Sequence, residues 1–262
     1  MSGSEASATV ARAPRPLQRY GTIVVVGGGC YGSYYVRQLQ RAALAGALSW
    51  ERLVSVDRDA ACQVARTPEL LEASNGSRGA EVVVAEWRDY FAGSIATCGE
   101  RDAIVPSPLM PHLMVEWLID RVTERHPGRA VGLKALTHAL PVPWQLANGD
   151  APHYASFATW TCPVNCIEPA TCPHTKGPRD WSMPVAMRTY VESRGAAGEP
   201  IGGPLLFHCE HRAYGVGMFD TRVVRDAGVT VLAAAGQGAA EFLVGTVSHC
   251  HGALARLVVA AP

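Results

Sequence analysis

The run TIVVVGGGCYG, residues 22–32, constrains this chain more than any other segment. Thr22–Val26 is a short β-branched stretch, the composition of a strand buried on both faces. Glycines follow at Gly27, Gly28, Gly29 and Gly32, satisfying G-x-G-x-x-G, and a helix is predicted from about Tyr31 to Ala45. A glycine turn that leaves a strand and opens a helix is the context in which this spacing reads as a phosphate site. Gly27 permits the tight turn, Gly29 lets a pyrophosphate approach the backbone, and Gly32 lets the helix pack on the strand. The free N–H groups at the helix start would bind the anion.

Leu53–Val56 reads as a second strand and ends in Asp57, where an acid can accept hydrogen bonds from a ribose 2′-hydroxyl. Its charge would repel a 2′-phosphate, so NAD is favoured over NADP, with Arg58 partly offsetting the repulsion. S-adenosylmethionine is the alternative cofactor; Glu86, ending a third strand at Glu81–Ala85, would then sit near the adenine. A fourth strand at Ala103–Val105, a helix over Leu109–Arg125 and a fifth strand at Ala130–Leu136 continue the alternation. Alternation of this kind predicts an α/β fold with a mostly parallel, Rossmann-type sheet over residues 19–140. The loop PSPLMPH follows the fourth strand, so Ser107 and His112 are candidate catalytic residues facing the cofactor, His112 as acid or base.

The stretch IVVVGGGCYGSYYVRQL followed by VSVDRD resembles the N-terminal domain of TrkA-like and other NAD-binding Rossmann proteins. The resemblance covers less than half of the chain. It implies a fold and a cofactor class and carries no catalytic residue. More loosely, the whole chain is similar to bacterial proteins that join such a domain to a Cys-rich segment.

The pattern breaks near Pro141. Residues 141–184 are rich in Pro, Cys and Trp and read as an irregular insertion. Residues 185–262 would complete the α/β fold, with regular structure at Ala186–Val191 and Leu205–His208 and strands at Val229–Ala234 and Phe242–Val247. Ser248 would cap a last helix from His249 through Leu257.

Eight cysteines are present, five of them in the C-terminal half. Without an export signal, metal binding or catalysis is a better use for them than disulfides. Cys162, Cys166 and Cys172 share one loop, and Cys162 and Cys172 each precede a proline. Thiolates suit zinc or an iron–sulfur cluster, and Cys-Pro in a stiffened loop leans toward the cluster. The spacing departs from ferredoxin runs and from the C-x-x-C of zinc sites. Cys250, in SHCHG, is the best fourth ligand, because a helix N-terminus would favour its thiolate. Cys209 comes next, and His208, His211, His249 and His251 flank both. Arg179 could meet an anionic substrate or pair with Asp180, and Glu168 could be a ligand, an acid or a solvated residue.

Residues 1–18 read as a disordered tail. Basic and acidic residues number 23 each, so nothing marks a nucleic-acid surface. No run approaches the ~18 apolar residues of a membrane helix. These readings predict a cytoplasmic, nucleotide-dependent oxidoreductase with an iron–sulfur or zinc centre near its cofactor, acting on a small molecule or redox partner, and a possible homo-oligomer. The alternatives are a non-catalytic nucleotide and metal redox sensor and an S-adenosylmethionine-dependent methyltransferase.

Overall fold

A computed structural model describes residues 17–72, 78–147, 149, 152–162 and 166–261. The first half runs β1 (Gln18–Val26), α1 (Cys30–Leu44), β2 (Leu48–Asp57), α2 (Pro68–Leu71), β3 (Ala80–Val84), α3 (Trp87–Ser94), β4 (Ala103–Val105) and α4 (Leu113–Arg125). The second half runs β5 (Val131–Lys134), β6 (Trp144–Ala147), β7 (His153–Ser156), α5 (Met183–Ala196), β8 (Gly202–His208), β9 (Glu210–Ala213), β10 (Val216–Asp220), α6 (Thr221–Gln237), β11 (Ala240–Val247) and β12 (His251–Val259).

The strands form two mixed sheets in an α/β arrangement. The first has the order β3-β2-β1-β4-β10-β9. Its first four strands are parallel, while β10 and β9 run antiparallel to their neighbours. The second has the order β6-β7-β12-β11-β8, with β5 also pairing β12. Here only the β8–β11 pair is parallel. The expectation of one mostly parallel sheet therefore gives way to two. The strand at Ala130–Leu136 exists as β5, but it pairs antiparallel in the second sheet.

Two elements differ from the sequence reading. Val229–Ala234 lies inside helix α6, because Val224, Ala227, Gly228, Val231 and Ala235 recur three or four apart on one buried face. That face meets Trp117 so closely that a Cβ on Gly228 would lie 2.8 Å from the indole. The last helix is instead strand β12, paired with β11 along its whole length. Its buried Leu257 and Val259 alternate with half-buried Arg256 and Val258, a period of two. Ser248 does cap backbone, but it caps a turn. Its Oγ accepts N–H bonds from Cys250 (3.2 Å) and His251 (3.3 Å) while the chain reverses into a hairpin.

The insertion at 141–184 is more regular than expected at its start, where β6 and β7 extend the second sheet. In its cysteine-bearing part the described residues, 157–162 and 166–182, stay irregular up to α5. One apolar core spans both sheets, with Val24, Val26 and Ile104 meeting Phe207, Phe219, Val244 and Leu257. A second core lies under α1 and a third under α5. Among the described residues no helix is long and apolar enough to cross a membrane.

Candidate functional site

The glycine turn is built as its spacing predicts. Gly27 has φ +89°, which an L side chain rarely adopts. Gly28 is packed under Cys62, whose Sγ would lie 2.4 Å from a Cβ there. A Cβ on Gly32 would fall 1.8 Å from the Gly27 carbonyl oxygen, so helix and turn touch only because that atom is missing. Gly29 is different. It is exposed, and a Cβ on it would meet nothing within 4 Å. It also stands at the N-cap of α1, with no side-chain cap and no acidic residue in the first turn. The first N–H groups of this helix are therefore open to an anion.

Asp57 is tied into the same turn. Its Oδ2 accepts the Gly28 N–H at 2.7 Å and its Oδ1 accepts the Asp59 N–H at 2.9 Å. The carboxylate thus holds the turn. Glu86 is exposed at the start of α3 and lies 3.9 Å from Arg58. Any charge that Arg58 lends to Asp57 is shared with Glu86.

A cleft of about 790 Å³ runs from the start of α1 to the second sheet, with Tyr31, Ser107, Trp144, Tyr154, Trp160 and His251 among its lining residues. Ser107 is buried in its wall, and its Oγ accepts the Leu109 N–H at 3.2 Å. His112 is not among the lining residues. Its ring stands 6.5 Å from that of Tyr154, both ring nitrogens are buried without a partner, and burial pushes its pKa down. Ser107 therefore faces the cleft and His112 lies behind it.

The four expected cysteine ligands converge. Cys162, Cys166, Cys172 and Cys250 line one small cavity of about 20 Å³, with Trp160, Glu168 and Trp181. Trp160, Cys162, Cys166, Glu168 and Cys250 also line the large cleft, so the cysteine cavity borders it. The chain makes this local structure with a tight turn. Cys172 N–H donates to the Gly177 carbonyl, Lys176 N–H donates to the Cys172 carbonyl, and Lys176 takes φ +59°. Arg179 donates from Nε to the Pro169 carbonyl at 3.1 Å and so braces the loop. Arg179 also lines the small cavity.

The Cys250 thiol is not activated by a helix. It sits in the β11–β12 hairpin, and burial pushes its pKa up to about 12, opposed by the Trp181 indole N–H donating to Sγ at 3.3 Å. Burial also raises Cys162. Cys172 is held below the ordinary thiol value, chiefly by the Thr175 N–H, with burial opposing. Cys209 lies away from the small cavity, on the wall of the cleft, and burial pushes it up to about 12.

Glu168 joins loop to hairpin. Buried and at φ +49°, it accepts the His249 N–H at 3.1 Å and the Cys250 N–H at 3.2 Å. Burial would raise its pKa, but hydrogen bonds from Ser248 and His249 and the nearby His211 outweigh that, and it is held below the usual carboxylate value. His208 and His249 meet edge to face at 4.7 Å, and burial lowers the pKa of each as well as that of His251. The sequence reading missed the two tryptophans at the thiols. Their only signal was the abundance of Trp among the cysteines. Among the described residues, no group of three or more His, Cys, Asp or Glu is drawn closely enough together to hold a metal ion.

A family model described as "Uncharacterized protein, C-terminal domain" matches residues 114–260, more than half of the chain. The chain belongs to that family. The match takes in the second sheet, the cysteine loop and the Cys250 hairpin, and leaves the glycine turn outside. No curated protein and no solved structure matches.

Proposed function

We propose that this protein is a nucleotide-dependent oxidoreductase, with NAD at the turn Gly27–Gly32 and an iron–sulfur centre held by Cys162, Cys166, Cys172 and Cys250. The observation that carries the reading is that four thiols, from a loop and a distant hairpin, line one cavity bordering a cleft whose far wall is Tyr31 and Tyr35 of α1, the helix that follows the glycines. The parallel order β3-β2-β1-β4, with an uncapped helix after the glycines, supports a Rossmann-type nucleotide site. The likeness to NAD-binding Rossmann proteins points the same way.

The donor set fits a soft metal centre. Four cysteines are a complete set for zinc or for a cluster. A single zinc, at ~2.3 Å from each sulfur, needs the sulfurs within about 4 Å of one another. As they stand the thiols line one cavity of about 20 Å³ and are not drawn closely enough together to hold a metal ion, so the preference for a cluster over zinc rests on the two Cys-Pro pairs of the loop. The indole N–H of Trp181 would stabilise charge on the Cys250 sulfur, as hydrogen bonds to cluster sulfurs do. Such a centre, when bound, supplies one-electron chemistry. The chain itself holds the thiols, ties Cys250 to the loop through Glu168, and shapes the cleft in which a reactant would meet both groups.

Two measurements test this. Protein purified without oxygen should absorb broadly in the visible, bleach on reduction, and contain iron and sulfide. A colourless protein containing zinc would overturn the cluster. NAD should raise the melting temperature more than NADP or S-adenosylmethionine, and the absence of any shift would overturn the nucleotide site.

A further inference from the structure

The cleft between turn and cysteines has walls of a distinct chemistry. On one side α1 supplies Tyr31 and Tyr35, whose rings stack at 6.5 Å and 29°. On the other side the second sheet supplies Trp144 from β6 and Tyr154 from β7. Trp160 closes the end nearest the cysteines. Tyr31, Trp144 and Tyr154 remain 39%, 42% and 37% exposed, so these rings are open to solvent and not consumed by the core.

The charge of the lining is as informative as its shape. Among the described residues that line the cleft there is no lysine or arginine. Arg179, which lines the adjoining cysteine cavity, donates to the loop backbone, and Arg212 pairs with Asp220 and Glu210. One buried carboxylate, Glu168, does face the cleft, and the thiolates of a loaded centre would add negative charge. An anion entering here would exchange water for aromatic faces and a negative charge without gaining a permanent cation, the histidines of the lining being His211 and His251. The negative faces of the rings disfavour anions further and tolerate neutral or positive groups. Hydroxyls of Ser107 and Thr159 remain to bind polar substituents.

We infer that the reactant taken by this cleft is a planar aromatic molecule carrying no negative charge, held between the tyrosines of α1 and the Trp144–Tyr154 wall. The inference rests on the reading that the cleft between glycine turn and cysteine centre is the reactant site. It names the class of that reactant, for which the redox reading alone had no preference.

The matched probes are 2-naphthamide and 2-naphthoate, which share a ring system and differ in charge. Each is titrated calorimetrically into the full chain, with iron measured on the same sample. Binding of 2-naphthamide should be saturable, and 2-naphthoate should bind at least roughly tenfold more weakly, a difference near 1.4 kcal/mol. The double variant Trp144→Ala, Tyr154→Ala should weaken 2-naphthamide by roughly tenfold or more, the scale of two lost ring contacts. Both side chains are partly exposed, so iron content and melting temperature should hold. Equal or tighter binding of 2-naphthoate, no binding of either probe, or affinity unchanged in the double variant would each overturn the inference. Should 2-naphthamide bind as expected to a protein without iron, the metal reading fails and the ring site stands. With iron present and no ring binding, the reverse holds.

Discussion

The glycine turn and the cysteine cavity are built in opposite ways. The turn is made of backbone, from one continuous segment, and its residues matter for the atoms they lack. The cavity is made of side chains, from a loop and a hairpin far apart in sequence, and its residues matter for the sulfur they carry. A backbone site needs close approach, so it is specified by glycine spacing and brittle to any added atom. A side-chain site needs convergence, so it depends on the second sheet placing Cys250 beside a loop with little regular structure of its own.

The comparison breaks most sharply at Gly32. A Cβ there would overlap the Gly27 carbonyl, which is backbone and not the end of a flexible side chain that could yield. Gly32→Ala should cost about 3 kcal/mol or more, read by urea unfolding, since overpacking against a fixed backbone is among the costlier changes. A stability within 0.5 kcal/mol of the parent, roughly the scatter of neutral substitutions, would mean that α1 does not pack as described.

Asp57 sharpens it next. Removing a charged hydrogen-bond acceptor should weaken NAD by about 1.5–3 kcal/mol in Asp57→Ala. Because the same carboxylate accepts the Gly28 N–H, about 1–2 kcal/mol of folding stability should go with it. Calorimetry with NAD and NADP checks the first part and denaturant unfolding the second. Loss of stability with unchanged NAD affinity would assign Asp57 to the turn alone.

Gly29 separates fold from binding within the turn. Gly29→Val has open space for its side chain, so unfolding should shift by less than about 1 kcal/mol while NAD binding is lost. Retained NAD binding in the folded variant would remove the phosphate from this helix start.

The last effect is one of pH. The Cys209 thiol keeps its proton in the folded state up to about 12, against an ordinary value of 9.0. Between those values the unfolded chain is ionised at this position and the folded one is not. Stability is therefore full below pH 9 and falls as pH rises toward 12, by up to about 1.4 kcal/mol per unit. Cys209→Ala should flatten this slope in urea unfolding at pH 8, 9 and 10. A slope identical to the parent's would show that Cys209 is not held neutral.

Much of the first region was legible in the sequence because its determinants are local. The strand–glycine–helix order, the acid after β2 and the first four strands all follow from residues adjacent in the chain. The second region was legible in composition and not in form. Phe242–Val247 and the cysteines after it were recognised, but the Ala253–Val259 run fits helix and strand alike when taken alone. Pairing with β11 decides for strand, and no local signal carries that. The grouping of Cys250 with the loop thiols was anticipated from ligand arithmetic, yet a parallel strand and a helix start were invoked for it. A hairpin turn pinned by Glu168 is what delivers it. For His112, chain position put it after β4, but whether its ring lines the cleft depends on packing that chain position does not carry; Ser107 lines it and His112 does not.

The most direct test of the account is the iron content, per chain, of Cys250→Ser beside Cys209→Ser, both purified without oxygen. Cys250 lines the cavity with the three loop thiols and Cys209 does not. The account predicts that Cys250→Ser loses most of its iron and its visible absorbance, and that the loop becomes more open to proteolysis, since metal binding and local folding are coupled. Cys209→Ser should match the parent. Full iron in Cys250→Ser, or loss confined to Cys209→Ser, would contradict the claim that loop and hairpin share one centre.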